Sequence, residues 1–149
     1  MSELELLERD LLKPSEALIA DMQSLEGDII LLGAAGKMGP SMARLARQAA
    51  DIAGMKRRII GVSRFSDAST RAELEEDGVE TIAADLLNEE DLAALPDAPN
   101  IIYLAGQKFG TTGKEPFTWA MNTYLPGRVA ERFKQSRIVG FSTGKVYPF

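Results

Sequence analysis

Three glycines spaced three residues apart, Gly33, Gly36 and Gly39, directly follow a short apolar run in the segment DIILLGAAGKMG. The apolar run predicts a buried parallel strand, and the residues from Lys37 onward predict a helix. In such a unit Gly33 permits the tight turn, Gly36 lets a ligand approach the backbone, and Gly39 lets the helix pack closely on the strand. Exposed amides and the helix dipole then favour an anion at the helix N-terminus. The segment therefore predicts a backbone site for phosphate groups, with a purely structural turn as the alternative.

The composition narrows the chemistry that the chain can perform. Its 149 residues include no Cys and no His, which excludes thiol nucleophiles, imidazole bases and the common zinc or copper sites, so no metal site is expected. The net charge of −5 argues against a nucleic-acid partner. No apolar run approaches the roughly 18 residues of a membrane span, and the acidic start MSELELLERD is unlike a signal peptide. We expect a cytoplasmic protein with no membrane partner.

Helical and strand patterns alternate along the chain. Residues 1–27 predict two short amphipathic helices, the second capped by Ser15. Further helices are expected at 37–53, through RAELEEDG after a cap at Ser69 or Thr70, through NEEDLAALP after a cap at Asn88, and at 116–135. The strands are expected in DIILL and at 57–64, 79–85, 99–106 and 137–143. This order predicts an α/β fold, a Rossmann-type, doubly wound parallel sheet of about five strands over 28–149, preceded by a helical extension over 1–27.

Two of these helices carry more specific expectations. In the helix at 37–53, the core-facing side is expected to hold Met38, Met42, Leu45, Ala49 and Ile52. In the helix at 116–135, Pro126 removes a backbone hydrogen bond and should bend the helix near Asn122, whose side chain would bond a freed carbonyl.

The residues after the second and fourth strands indicate what binds at the sheet edge. An acid after the second strand would accept from the 2′-hydroxyl of NAD, whereas an Arg pairs with the 2′-phosphate of NADP. Here Ser63 and Arg64 come first, with no acid before Asp67, which favours NADP over NAD unless Arg64 is merely a solvated loop charge. After the fourth strand, the small pair Ala105 and Gly106 would let a ligand lie against the backbone.

Several segments in this order resemble the N-terminal part of an extended short-chain dehydrogenase/reductase, the NAD(P)-dependent epimerase/dehydratase family. They are GAAGKMG at 33–39, Asp85-Leu86, YLAG at 103–106, Asn122 and FSTGKVY at 141–147. The resemblance implies that the glycine segment, with Lys37 and Met38, binds the dinucleotide. It also implies that Asp85 and Leu86 contact the adenine and that Ala105, Gly106 and Lys108 line the cofactor, although Lys108 is equally explained as an unpaired surface lysine. Thr143 would hydrogen-bond the substrate oxygen.

One part of the family pattern is missing. The family uses a Tyr with a Lys four residues later, and none of Tyr103, Tyr124 and Tyr147 is followed by such a Lys. We therefore expect a domain truncated before that segment and the substrate lobe, and inactive alone.

The function expected from the resemblance is the nucleotide-binding part of an NADP-preferring enzyme acting on a nucleotide-sugar-like or small hydroxyl or carbonyl substrate. The long helix at 116–135 is a candidate homodimer contact. The alternatives are a non-catalytic dinucleotide-binding sensor or interaction module and, disfavoured by the lack of a ribose-binding acid after the second strand, an S-adenosylmethionine-dependent methyltransferase.

Overall fold

The computed structural model describes residues 12–107 and 112–141. The first of the two helices expected within 1–27 begins before these ranges, and Lys108, Thr143 and Tyr147 fall outside them, so these expectations remain predictions.

A five-stranded sheet forms the centre of the molecule, in the order β3-β2-β1-β4-β5 with every pair of neighbours parallel. The strands are β1 Ile29–Leu32, β2 Ile59–Ser63, β3 Glu80–Ala83, β4 Asn100–Tyr103 and β5 Arg137–Gly140. β1 is buried along its whole length, because it pairs with β2 on one side and β4 on the other. The strand order reverses direction at β1, so the connections leaving β1 and β4 diverge there. The fold class predicted from the sequence is confirmed.

Helices flank both faces of this sheet. They are α1 Glu16–Ser24, α2 Gly39–Ile52, α3 Ala68–Glu76, α4 Glu89–Ala94, α5 Glu115–Trp119 and α6 Leu125–Arg132, with a π-helical turn, Ala120–Tyr124, between the last two. The caps predicted at Ser15 and Asn88 are confirmed, since Ser15 Oγ accepts from the amide of Leu18 and Asn88 Oδ1 from those of Glu90 and Asp91.

Two hydrophobic clusters hold these layers together. The cluster on the α6 side is centred on Ile30, Leu32, Ile60 and Phe133. The cluster on the α2 side contains Ile29, Leu31, Ile59 and Leu74, together with Met22 from α1 and three alanines of α2, Ala43, Ala46 and Ala49. Successive side chains of β1 point to opposite faces of the sheet and therefore pack into the two clusters in turn. Both faces of the strand are buried, which explains why all four of its residues are apolar.

The core-facing side of α2 differs from the prediction. Its buried positions are Gly39, Ala43, Ala46, Ala49 and Ala50. Two of the residues expected to face the core instead point outward, Met38 at 49% exposed and Ile52 at 62% exposed. The helix lies so close to the sheet at Gly39 that small side chains fill the interface. Of the five residues predicted on this side, Ala49 is buried and Met42 is half-buried against the cluster on the α2 side.

A buried arginine fastens α1 to the domain at the end of the sheet where the strands begin. Arg57 is 7% exposed, and its guanidinium donates to the backbone carbonyls of Met22, Leu25 and Gly27. The Asn100 side chain holds the same linker through two further backbone carbonyls, at 2.8 and 3.1 Å. The guanidinium thus satisfies carbonyls at and beyond the C-terminus of α1, where the helix dipole favours a cation.

The helical run after β4 is interrupted where Pro126 predicted it. Through the π-helical turn, the amide of Leu125 donates to the carbonyl of Ala120 five residues earlier. The role predicted for Asn122 is wrong, because it is the hydroxyl of Tyr103, 3.4 Å away, that donates to a carbonyl of this turn, that of Met121.

Candidate functional site

A cavity of about 410 Å³ opens at the edge of the sheet where β1, β2, β3 and β4 end. Parallel strands bring their carboxyl ends to one edge, and a reversal of strand order leaves a crevice there. Eight of the residues that the sequence analysis proposed line this one cavity: Gly33, Gly36, Ser63, Arg64, Asp85, Leu86, Ala105 and Gly106.

The three glycines of the first turn meet three different steric conditions. Gly33 has φ +94°, and a Cβ there would lie 2.8 Å from the amide nitrogen of Ala105. A Cβ on Gly39 would collide with the backbone of Ala34, including its Cα at 2.7 Å. A Cβ on Gly36 would meet only the carbonyl oxygen of Gly33, at 3.2 Å. Gly33 and Gly39 are therefore required by the fold, whereas Gly36 leaves open space beside the cavity.

The helix that follows the glycine turn begins without a side-chain cap. Its N-cap residue, Met38, makes no capping hydrogen bond, and Pro40 lies in the first turn. The amide of Gly39 already donates to the carbonyl of Gly36 at 3.1 Å and Pro40 has no amide, so this helix end offers a ligand mainly the positive end of its dipole. Lys37 and Met38 are both exposed, and neither contributes to the cavity lining.

Arg64 is the positively charged side chain of the cavity lining in the described part of the chain. It is exposed, it follows β2 directly, and within residues 12–107 and 112–141 it has no ion-pair partner. Ser63 before it is fixed to the sheet, because its carbonyl accepts from the amide of Ala84 at 3.0 Å. The side chains of Ser63 and Ser66 add hydroxyl groups to the same wall.

Asp67 caps α3, and the predicted cap at Ser69 or Thr70 is wrong. An oxygen of Asp67 accepts from the amide of Ser69 at 3.0 Å, and the hydroxyls of Ser69 and Thr70 donate to the same carboxylate. These hydrogen bonds, the one from the Ser69 hydroxyl foremost, lower the pKa of Asp67. Asp67 lines the cavity, yet its carboxylate is engaged by the start of α3.

The residues after β3 form a compact turn. Leu86 is 8% exposed, and Asp85 beside it is exposed. The Asp85 carboxylate accepts from the amide of Leu87 at 3.0 Å, and its own amide donates to Asp91 at 2.8 Å. Asp91 therefore links the cap of α4 to the cavity wall.

Asn122 holds the loop that leaves β4. Its side chain accepts from the amide of Gln107 at 2.7 Å and donates to the carbonyl of the same residue at 2.8 Å. A Cβ on Gly106 would lie 3.3 Å from Asn122 Oδ1, so a small residue suits this position. The π-helical turn thus fixes the path of the backbone next to Ala105 and Gly106.

The cavity lining also contains nine residues that the sequence patterns did not indicate. The additional residues are Ala35, Phe65, Ser66, Asp67, Thr70, Ala84, Leu104, Phe117 and Met121. Most are chain neighbours of residues that were proposed. Phe117 and Met121 come from the helical run after β4. They are four residues apart in a helix predicted to begin at Pro116, and that spacing could have indicated a shared face.

The ionisable side chains in this lining favour binding over proton transfer. Among the described residues they are Arg64, Asp67 and Asp85, and this set includes neither a phenol nor an ammonium. Tyr103 lies close by but is half-buried, and burial raises the pKa of its phenol to about 12. Its hydroxyl is directed at the Met121 carbonyl, so Tyr103 acts as a structural hydrogen-bond donor.

Metal-binding clusters and membrane-spanning helices are both absent from residues 12–107 and 112–141. No group of three or more acidic side chains there could hold a metal ion. No helix in that part of the chain has the length and apolar character needed to cross a membrane.

The architecture is a Rossmann-type α/β fold with a parallel five-stranded sheet. A crystal structure of a short-chain dehydrogenase/reductase superfamily protein from Agrobacterium tumefaciens, with bound NAD, is similar to this chain at a TM-score of 0.60 and 22% sequence identity. The similarity covers 80% of this chain and 34% of that protein, so the chain spans about a third of its length. No protein-family model and no curated protein sequence matches the chain. The likeness therefore establishes the fold.

Proposed function

We propose that this chain is the NAD(P)-binding domain of an oxidoreductase of the short-chain dehydrogenase/reductase type. The observation that carries the proposal is the glycine turn, where exposed Gly36 and the uncapped start of α2 meet the cavity at the reversal of strand order. A pyrophosphate bound there would receive backbone amides and the positive end of the helix dipole. The similar protein from A. tumefaciens was crystallised with NAD, which supports the same class of ligand.

The remaining lining fits the other parts of a dinucleotide. Leu86 offers an apolar surface and Asp85 a polar edge for the adenine, while Ala105 and Gly106 allow the rest of the ligand to lie along the end of β4. Lys37, Met38 and Lys108 complete the proposed binding set. When bound, a nicotinamide dinucleotide supplies hydride transfer, and the residues of this chain bind and orient it.

We further propose a preference for NADP, with NAD as the weaker ligand. Arg64 is the cation at the end of β2, without an ion-pair partner in the described part of the chain. The nearest acid along the chain, Asp67, is engaged by α3. A guanidinium that is not already paired can bind a 2′-phosphate through two hydrogen bonds.

The activity of the complete protein extends this proposal. An epimerase, dehydratase or reductase acting on a nucleotide-sugar-like or small hydroxyl or carbonyl compound would use Thr143 to hydrogen-bond the substrate oxygen. Within residues 12–107 and 112–141 the cavity lining contains no phenol or ammonium to move a proton, and we expect this chain alone to bind dinucleotide without turnover. Hydride transfer by the purified 149-residue chain would refute that expectation. A homodimer formed through the helical run after β4 is part of the same proposal.

Titration calorimetry of the purified chain with NADPH, NADH and S-adenosylmethionine tests the binding proposal. We expect NADPH to bind roughly 10- to 100-fold more tightly than NADH, the value of one or two charge-assisted hydrogen bonds. Arg64→Ala should abolish this preference. Arg71→Ala, which removes the same charge from the exposed side of α3, should keep it.

Three results would count against the proposal. Tighter binding of S-adenosylmethionine would indicate a methyltransferase domain, and no binding of any ligand would indicate a structural turn. Equal loss of preference in both arginine variants would mean that Arg64 contributes only to the overall positive charge and does not bind the 2′-phosphate directly.

A further inference from the structure

The loop between β2 and α3 contains an unusual backbone conformation. Phe65 has φ +47°, and it is the one non-glycine residue with positive φ in the part of the chain that the structure describes. This region crowds the Cβ of an L-residue against the backbone, and bulky side chains avoid it. A non-glycine residue persists in such a conformation when its surroundings determine it.

Three contacts determine the path of this four-residue loop. At its start, the carbonyl of Ser63 accepts from Ala84 in the strand-three connection. At its end, Asp67 is fixed as the cap of α3. In the middle, Phe65 is half-buried and packs against the hydrophobic cluster on the α2 side. The ring is therefore the anchor that fixes the loop between its two ends.

The residues on either side of this anchor point to the ligand cavity. Arg64, Phe65 and Ser66 all line it; Arg64 and Ser66 are exposed, whereas the half-buried Phe65 ring also packs against the cluster on the α2 side. Binding a phosphate orders both the backbone and the side chain of an arginine. A backbone that is already fixed lowers the total entropy lost on binding.

We propose that Phe65 is the positioning residue for cofactor specificity, whose half-buried ring fixes the turn that presents Arg64 and Ser66 to the 2′-phosphate of NADP. This inference rests on the proposed function. Phe65 acts through its neighbours, so its substitution should alter the preference between two cofactors more than the affinity for both.

The test compares NADPH and NADH affinities, by titration calorimetry, for the wild-type chain and for Phe65→Gly, Phe65→Ala and Phe65→Leu. Glycine accepts the positive φ but removes the anchor, alanine also removes it, and leucine keeps an apolar group in the core. We expect the preference for NADPH to fall about 5- to 10-fold in the Gly and Ala variants, a part of the full Arg64 effect, while NADH affinity changes less than about 2-fold. Leucine should retain most of the preference.

Two controls separate positioning from general damage. Phe117→Ala removes another ring from the cavity lining and should change both affinities by the same factor. Phe65→Ala made in an Arg64→Ala background should cause no further loss of preference, because the group that it positions is gone. Far-ultraviolet circular dichroism and thermal unfolding confirm that each variant is folded. Should both small variants unfold, Phe65→Leu carries the test: the inference predicts that it keeps the preference that Arg64→Ala loses, and a preference lost equally in both would overturn it.

The outcomes distinguish this inference from the proposed function. If the wild-type chain binds neither dinucleotide, the proposed function is wrong, and the inference, which rests on it, is wrong as well. If the wild-type chain prefers NADPH and the Gly and Ala variants keep that preference, the inference alone is overturned. An equal loss of NADPH and NADH affinity in those variants would also overturn it, because Phe65 would then support the whole cavity and not the Arg64 position.

Discussion

Two alanine substitutions in the glycine turn should separate folding from binding. The free space at each position gives the expected magnitude. At Gly39 a Cβ would lie 2.5 Å from the carbonyl carbon of Ala34 and 2.7 Å from its Cα, and these backbone atoms can move only if α2 shifts away from the sheet. Overpacking of this kind costs about 1–3 kcal/mol, and a clash with backbone lies at the upper end. For a chain of this size, about 3 kcal/mol lowers Tm by roughly 6–12 °C.

Gly36 is the matched position with the opposite expectation. Its φ is not in the positive region, and its added Cβ would meet one carbonyl oxygen at 3.2 Å. Gly36→Ala should therefore change the unfolding free energy by less than about 1 kcal/mol. The methyl group would occupy the space where a pyrophosphate approaches the backbone, and we expect NADPH affinity to fall at least about 10-fold.

The assay pairs thermal unfolding with NADPH titration for both variants. Gly36→Ala should unfold near the wild-type temperature and bind poorly, and Gly39→Ala should unfold at a lower temperature. If Gly36→Ala bound NADPH as tightly as the wild-type chain, the backbone site would be wrong. If both variants lost the same stability, the division of roles within the turn would be wrong.

Three further predictions concern the framework around the site. Arg57→Met leaves three backbone carbonyls without their donor and should lower the unfolding free energy by about 2–4 kcal/mol in urea titrations. Arg58→Met loses only surface ion pairs and should lower it by less than about 1 kcal/mol. Equal losses would contradict the role of Arg57. The pKa of Tyr103 is raised to about 12 from the ordinary 10.0, so the stability that the neutral phenol contributes is complete below about pH 10 and is lost as the pH rises to about 12. An ultraviolet titration of the chain should show one phenol that ionises late, and Tyr103→Phe should remove that late ionisation. Val139, 60% exposed on the last strand of the described sheet, should promote self-association, and sedimentation at rising concentration should show less of it in Val139→Lys, with no change arguing against an exposed edge contact.

Much of the fold could be predicted because the determining patterns are local. The apolar run before Gly33, the alternation of strand and helix patterns, and the caps at Ser15 and Asn88 each depend on residues close in sequence. Strand ends that are distant in sequence could be assigned to one cavity, because a parallel sheet with right-handed connections brings its carboxyl ends to one edge.

The incorrect predictions involve competition between local alternatives or contacts made across the fold. In the segment DAST, three side chains can cap α3, and Asp67 accepts the hydrogen bonds because Ser69 and Thr70 act as its donors. The alanine face of α2 depends on its close approach to Ala34, which no helical pattern contains.

Tertiary contacts also decided the hydrogen bonds near Pro126. Asn122 and Tyr103 are 19 residues apart in sequence, and the fold assigns the freed Met121 carbonyl to Tyr103 and the loop at Gln107 to Asn122. The positive φ of Phe65 likewise arises from a ring that packs into the core cluster, and nothing in the sequence around it marks the position.

A crystal structure of this chain grown with NADPH would test the central claim most directly. We predict density for the dinucleotide in the cavity at the strand ends, with its pyrophosphate against Gly33 and Gly36, its adenine against Leu86 and its 2′-phosphate bound by Arg64. A dinucleotide found elsewhere, or an empty cavity at a concentration that saturates binding in solution, would contradict the account.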